Sequence, residues 1–84
     1  MKHELKTLNP YFQEIWNHRK TFEIRKNDRN FQVGDEVKLR EYVVEHDTYT
    51  GRSIIGVVTY LTDYQQQPGY VVFSLQDLTF HGGL

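Results

Sequence analysis

Apolar positions change their period along this chain, and the changes mark out its elements. Over residues 2–7 a weak alternation puts His3, Leu5 and Thr7 on one side, which predicts a short first strand. Over residues 10–18, Phe12, Ile15 and Trp16 fall at the i, i+3, i+4 spacing of a buried stripe, with Tyr11 and Gln13 toward its edges, so a short amphipathic helix is expected. Asn9 is placed to cap its free amides and Pro10 loses no hydrogen bond at the first helical position. Asn17-His18 ends the helix, and His18, Arg19 or Lys20 complements the partial negative charge of its last carbonyls.

Period two then returns. Residues 21–26 read as a strand with Phe22 and Ile24 on one side and Thr21, Glu23 and Arg25 on the other. Burying Phe22 and Ile24 with Phe12, Ile15, Trp16, Val37 and Leu39 sends the polar side outward. In that register Phe22→Ala costs about 3–5 kcal/mol. Asn27-Asp28-Arg29-Asn30 is a turn, and Phe31 and Val33 cover the end of the core. Val33-Gly34-Asp35 turns the chain into a strand over residues 36–42, with Val37 and Leu39 inward. Residues 43–52 read as a hairpin connection tight at Gly51, and residues 53–61 as a β-branched strand in which Gly56 marks a bend or bulge. After the Gln65–Gly69 turn, a fifth strand covers residues 70–75. Residues 77–84 read as a short edge segment fraying at Gly82-Gly83. Five strands and one early helix predict an α+β, mainly β architecture, a small curved β-barrel with the helix closing one opening.

Length and composition narrow the function. Eighty-four residues fit one domain, residues 1–84, which leaves roughly 40% of the unfolded chain's surface exposed and requires a compact core. Twelve aromatic residues, six of them tyrosine, supply that core. A net charge of −1 excludes coating nucleic acid through bulk electrostatics, so anion binding must be local. Absence of cysteine excludes disulfides and thiolate metal sites. His3, His18, His46 and His81 are scattered, and neither a Gly-rich phosphate loop nor a G-x-S-x-G elbow occurs, so no metal and no cofactor are expected. No apolar stretch approaches the roughly 18 residues of a membrane span, and Met-Lys-His-Glu at the start lacks the apolar segment of a secretory signal, so no membrane association and a cytoplasmic location are expected.

Charge is concentrated in residues 19–29, with five cations against Glu23 and Asp28. Lys20 and Arg25 have the chemistry to hold a phosphate or a polarised carbonyl; the alternative is pairing with Glu23 or Asp28. Glu23 orients Arg25, accepts from a base edge or carries a proton. Lys26, on the opposite strand face from Arg25, and Arg29 from the turn are suited to a phosphate backbone. Among the tyrosines, Tyr42 and Tyr49 adjoin a polar loop and are the choices for stacking on a base; Tyr60, Tyr64 and Tyr70 offer the same chemistry.

A short strand, an amphipathic helix, then Arg19-Lys-Thr-Phe-Glu-Ile-Arg25 and Phe31-Gln-Val-Gly-Asp35 resemble the ASCH domain of the PUA-like superfamily. His3-Glu-Leu-Lys6 and Phe22-Glu-Ile-Arg-Lys-Asn-Asp28 resemble, within it, the small bacterial and phage DUF3850 group. The resemblance covers nearly the whole chain and implies a PUA-like barrel, a cleft between barrel and helix, and RNA or modified-nucleoside recognition. Some small ASCH proteins hydrolyse N4-acetylcytidine. Lys20 matches their post-helix lysine, their site threonine falls on Glu23 with Thr21 nearby, and the insertion carrying their catalytic carboxylate has no counterpart. The expected function is a binding module for RNA, a nucleotide or a nucleoside through Lys20, Thr21, Glu23 and Arg25, extended by Lys26 and Arg29. The alternatives are a small amidohydrolase using Lys20, Thr21 and Glu23, and a protein-interaction domain.

Overall fold

A computed structural model describes residues 1–82. In chain order it contains β1 (Lys2–Leu8), α1 (Asn9–Trp16), β2 (Phe22–Lys26), β3 (Glu36–Val43), a 3-10 turn at Val44–His46, β4 (Thr48–Thr62) and β5 (Tyr70–His81). The strands form one sheet in the order β1-β3-β4-β5-β2, curled into a half-barrel. β1 runs parallel to β3, and the other three pairings are antiparallel. β1 and β2 are the two sheet edges and run in opposite directions; the barrel expected from the sequence has no backbone ladder along this seam.

Leu5, Phe12, Ile15, Phe31, Val37, Leu39, Ile54, Val58, Val71, Phe73 and Leu75 make the buried core, with Trp16, Leu61, Leu78 and Phe80 packed against it. Phe31 packs on Phe73 (5.0 Å between ring centroids) and against the edge of His3 (4.7 Å). Val33, its expected partner at the core's end, is exposed. The turn carrying Phe31 is built from side chains: Asn27 Oδ1 accepts from the Phe31 amide (2.9 Å), and Asp35 Oδ2 accepts from the Gln32 amide (3.0 Å) and from His3 Nε2 (2.7 Å).

Four expectations change. The helix starts at Asn9, with Leu8 at the cap position and no side-chain cap; the Asn9 side chain instead donates through Nδ2 to Glu41 Oε2 at 2.6 Å. The connection after β3 turns at Val44–Asp47, where Asp47 is left-handed (φ 47°), and Gly51 lies inside β4. There the β3–β4 register shifts between Arg40 and Tyr42, and this bulge brings Thr50 and Arg52 to bear on Glu41. β5 runs unbroken to His81 because its second half pairs with Ser53–Ile55 of β4; Gly83 of the expected frayed end lies outside the described residues.

The largest change is in β2. Phe22 and Ile24 are 43% and 53% exposed, whereas Glu23 is 3% exposed and faces inward with half-buried Arg25. Long-range pairing sets this register, since Glu23 and Arg25 lie opposite Phe73 and Val71, whose side chains fill the core. Alternation within residues 21–26 separates two faces without saying which is inside. The stronger apolar alternation of β5 chooses.

Candidate functional site

Inward-facing charge on an edge strand needs partners, because an unpaired buried carboxylate is costly. Glu23 has two. Lys20 Nζ donates to its Oε2, and Arg25 approaches Oε1 through Nε (2.9 Å) and Nη2 (2.8 Å). Lys20, just beyond the helix, also donates to the Phe22 carbonyl at 2.7 Å. Arg25 then crosses the seam: Nη1 donates to the Lys6 carbonyl (3.0 Å) and Nη2 to Thr7 Oγ1 (3.0 Å). Farther along, Arg29 Nη1 donates to the Glu4 carbonyl at 3.0 Å. Two arginine side chains thus supply donors to carbonyls of the β1 edge that have no neighbouring strand on that side.

The seam encloses a cleft of about 350 Å³, within the range that holds a small ligand. Glu23, Arg25, Lys20 and Thr7 form its polar part, Leu8, Tyr11 and Ile24 its apolar walls, and Lys6 its rim. Beyond Arg25 a second recess of about 210 Å³ is lined by Leu5, Lys6, Arg25, Lys26, Asp28, Arg29 and Phe31. The two recesses together hold five cations against Glu23 and Asp28, so a chain with a net charge of −1 carries a locally basic groove.

Of the residues expected at a site, Lys20, Glu23 and Arg25 meet in the cleft and Lys26 and Arg29 line the adjoining recess. Thr21 is exposed, is absent from the cleft lining, and borders a small separate depression with Ile15, Lys20, Phe22, Leu75 and Leu78. Tyr42 and Tyr49 are cross-strand partners with ring centroids 5.1 Å apart, outside the cleft lining. Lys6 Nζ covers the Tyr42 ring at 4.2 Å and the Arg40 guanidinium covers Tyr49 at 3.8 Å. This spends both rings on cations rather than leaving them to the cleft.

Sequence reasoning missed Lys6, Thr7 and Tyr11 as lining residues. Thr7 was legible as the third member of the His3, Leu5, Thr7 stripe; Lys6 and Tyr11 needed the tertiary placement of β1 beside β2. It also missed Glu41, which continues the inward parity of Val37 and Leu39. Buried Glu41 accepts from Asn9 Nδ2 (2.6 Å), Thr50 Oγ1 (2.6 Å), Arg52 Nε (2.8 Å) and Arg52 Nη2 (2.8 Å). Arg52 beside it, helped by Thr50 and Asn9, holds the Glu41 carboxyl down at about 2. The Arg52 guanidinium also lies over Trp16 (4.5 Å) and donates to Gln13 Oε1 (2.7 Å), so this network pins α1 to the sheet and with it Tyr11 beside the cleft.

The family model described as "Domain of unknown function (DUF3850)" matches residues 2–75, a span that contains every lining residue of the cleft. An uncharacterized 12.9 kDa protein in the GpA 3' region of Escherichia phage P2 is 38% identical over 61 residues, which is 73% of this chain and 54% of that protein. The chain spans about half the length of this relative. With the family match running over nearly its whole length, the chain belongs to the DUF3850 family.

Proposed function

We propose that this protein binds a nucleotide or a single-stranded RNA segment, or a modified nucleoside, in the seam between α1, β1 and β2. The observation that carries the reading is the make-up of the cleft: Lys20 and Arg25 flank one neutralised carboxylate, and Leu8, Tyr11 and Ile24 add apolar surface to the same lining. A nucleobase takes a flat apolar surface and a few hydrogen-bonding groups, and its phosphate takes cations. Glu23 acts as the internal counter-ion that fixes Lys20 and Arg25 in place. Lys20 has a third N–H beyond those given to Glu23 and Phe22, and the Thr7 hydroxyl keeps its proton to donate. In this reading the curled sheet is an ASCH-type, PUA-like fold working in the cytoplasm, and no cofactor takes part.

Calorimetric titration with a panel of nucleosides and nucleotides tests it. At least one should bind, and Tyr11→Ala, a change at a 57% exposed helix position, should weaken that binding about tenfold through lost stacking without lowering the unfolding temperature. Absence of binding across the panel at millimolar concentration overturns the reading.

The direct Lys20–Glu23 contact favours a second reading, an amidohydrolase of N4-acylated cytidine in which Lys20 polarises the amide and Glu23 moves the proton. It ranks second because Glu23 already accepts from both cations and Thr21 stands off the cleft. Incubation with N4-acetylcytidine separates the two: turnover that disappears in Lys20→Ala reverses the order. Copurification of one protein without nucleic acid would favour a protein partner instead.

A further inference from the structure

We propose a second base-binding subsite on the outer face of the sheet, on the far side of Ile24 from the cleft, so that the ligand is a single strand of at least two nucleotides. This rests on the nucleotide-binding reading of the cleft and extends it. The inverted register of β2 puts Ile24 and Lys26 on the outer face, opposite Val72 and Tyr70. There a shallow recess of about 340 Å³ is lined by Ile24, Gln66, Gln67 and Tyr70, with no carboxylate among them. Tyr70 is 39% exposed and presents a ring for stacking. Gln66 and Gln67 present primary amides, which donate and accept together as a base edge requires. Among the described residues the Gln66 side-chain Nε2 makes one long 3.4 Å hydrogen bond, to the Tyr64 carbonyl, which leaves this amide able to meet a ligand.

This recess is held in shape from both strands. The Tyr70 amide donates to the Gln67 carbonyl (2.9 Å), and the Asn27 amide at the end of β2 donates to the Gly69 carbonyl (2.8 Å). Gln65 and Gly69 both take left-handed backbone (φ 58° and 83°), which folds the turn back on Tyr70. Ile24 lines this recess and the cleft alike, so a single side chain separates them. Ile24 and Tyr70 are diagonal neighbours across two paired strands, roughly 7–8 Å apart, so the stacking ring lies one side chain beyond the wall shared with the cleft. Lys26 stands next to Tyr70 and also lines the recess of Arg29, where it meets the connecting phosphate. The rival occupant of the face is a second copy of the chain burying Phe22, Ile24, Tyr60 and Tyr70. The two glutamine amides of the recess and Lys26 beside Tyr70 favour nucleic acid.

Binding of mononucleotides and of the matching tetranucleotides, measured by calorimetry on the whole chain, tests the proposal. A tetranucleotide should bind about tenfold or more tighter than its mononucleotide, Tyr70→Ala should abolish that gain while leaving mononucleotide affinity unchanged, and Tyr70→Phe should retain it. In the unsubstituted protein, the Gln66 and Gln67 side-chain amide resonances should shift with the tetranucleotide and stay in place with the mononucleotide. Equal affinity for the two ligands overturns the subsite and leaves the cleft reading standing; no binding of either overturns both. Self-association lost in Tyr70→Ala would assign the face to a second copy and overturn the subsite as well.

Discussion

Glu41 spends its two carboxylate oxygens on four donors from three residues, and that saturation makes it a stabilising group rather than a reactive one. Its folded-state pKa of about 2 lies below the ordinary 4.5, so the unfolded chain takes up the proton first as pH falls. The contribution is complete above about pH 4.5 and is lost as pH falls through about 2; its size is on the order of 3 kcal/mol. Acid unfolding should therefore be shallower in Glu41→Gln, which should already be less stable at pH 7. Asp35, also held at about 2, first by His3 and then by the Gln32 amide, retains part of the acid slope in that variant. Phe22 gives a second prediction at this scale. With Phe22 43% exposed, Phe22→Ala should cost less than about 1 kcal/mol, whereas Phe73→Ala, at a fully buried position, should cost about 3–5 kcal/mol in urea unfolding. Equal losses would restore the register that period two alone leaves open.

At the scale of elements, β4 is the part that curls the sheet. Its fifteen residues pair with β3 and β5 through three register shifts, and Gly56 lies at one of them. A Cβ there would come within 2.6 Å of Leu78 Cδ2 and 3.3 Å of the Gln76 carbonyl oxygen. The leucine methyl can move aside and the backbone carbonyl cannot easily follow, so Gly56→Ala should destabilise by about 1–3 kcal/mol, read as a fall in melting temperature. The sequence marked this glycine as a bend because it interrupts a β-branched run. The helix was legible in the same way, from a three-residue apolar stripe and Pro10. The Thr50–Arg52 bulge was not legible, since it exists to satisfy Glu41, a partner nine to eleven residues away whose inward orientation depends on the β3–β4 register.

For the whole molecule, the seam between β1 and β2 joins fold to function. The sheet leaves its two edges facing each other, and Arg25 and Arg29 bridge them through carbonyls of β1. A ligand meets local cations on a chain of net charge −1, so bulk attraction contributes little. Two or three phosphate contacts predict a slope of log K against log salt of about −1.5 to −2 for a single strand. A slope near zero would point to an uncharged ligand confined to the cleft, and a much steeper one to phosphate contacts beyond the two basic recesses.

By itself the sequence determined the mainly β architecture, the position of the helix, most of the core and the density of charge in residues 19–29, because these follow from period, turn chemistry and composition within short windows. It also brought Lys20, Glu23 and Arg25 together, since the three lie within six residues. Tertiary structure alone decided which face of β2 is inside, that Lys6, Thr7 and Tyr11 complete the cleft, and that Tyr42 and Tyr49 are spent on Lys6 and Arg40. The physical reason is register. Alternation along one strand defines two faces, and only pairing with a distant strand, here the Val71, Phe73, Leu75 stripe of β5, selects the one that is buried.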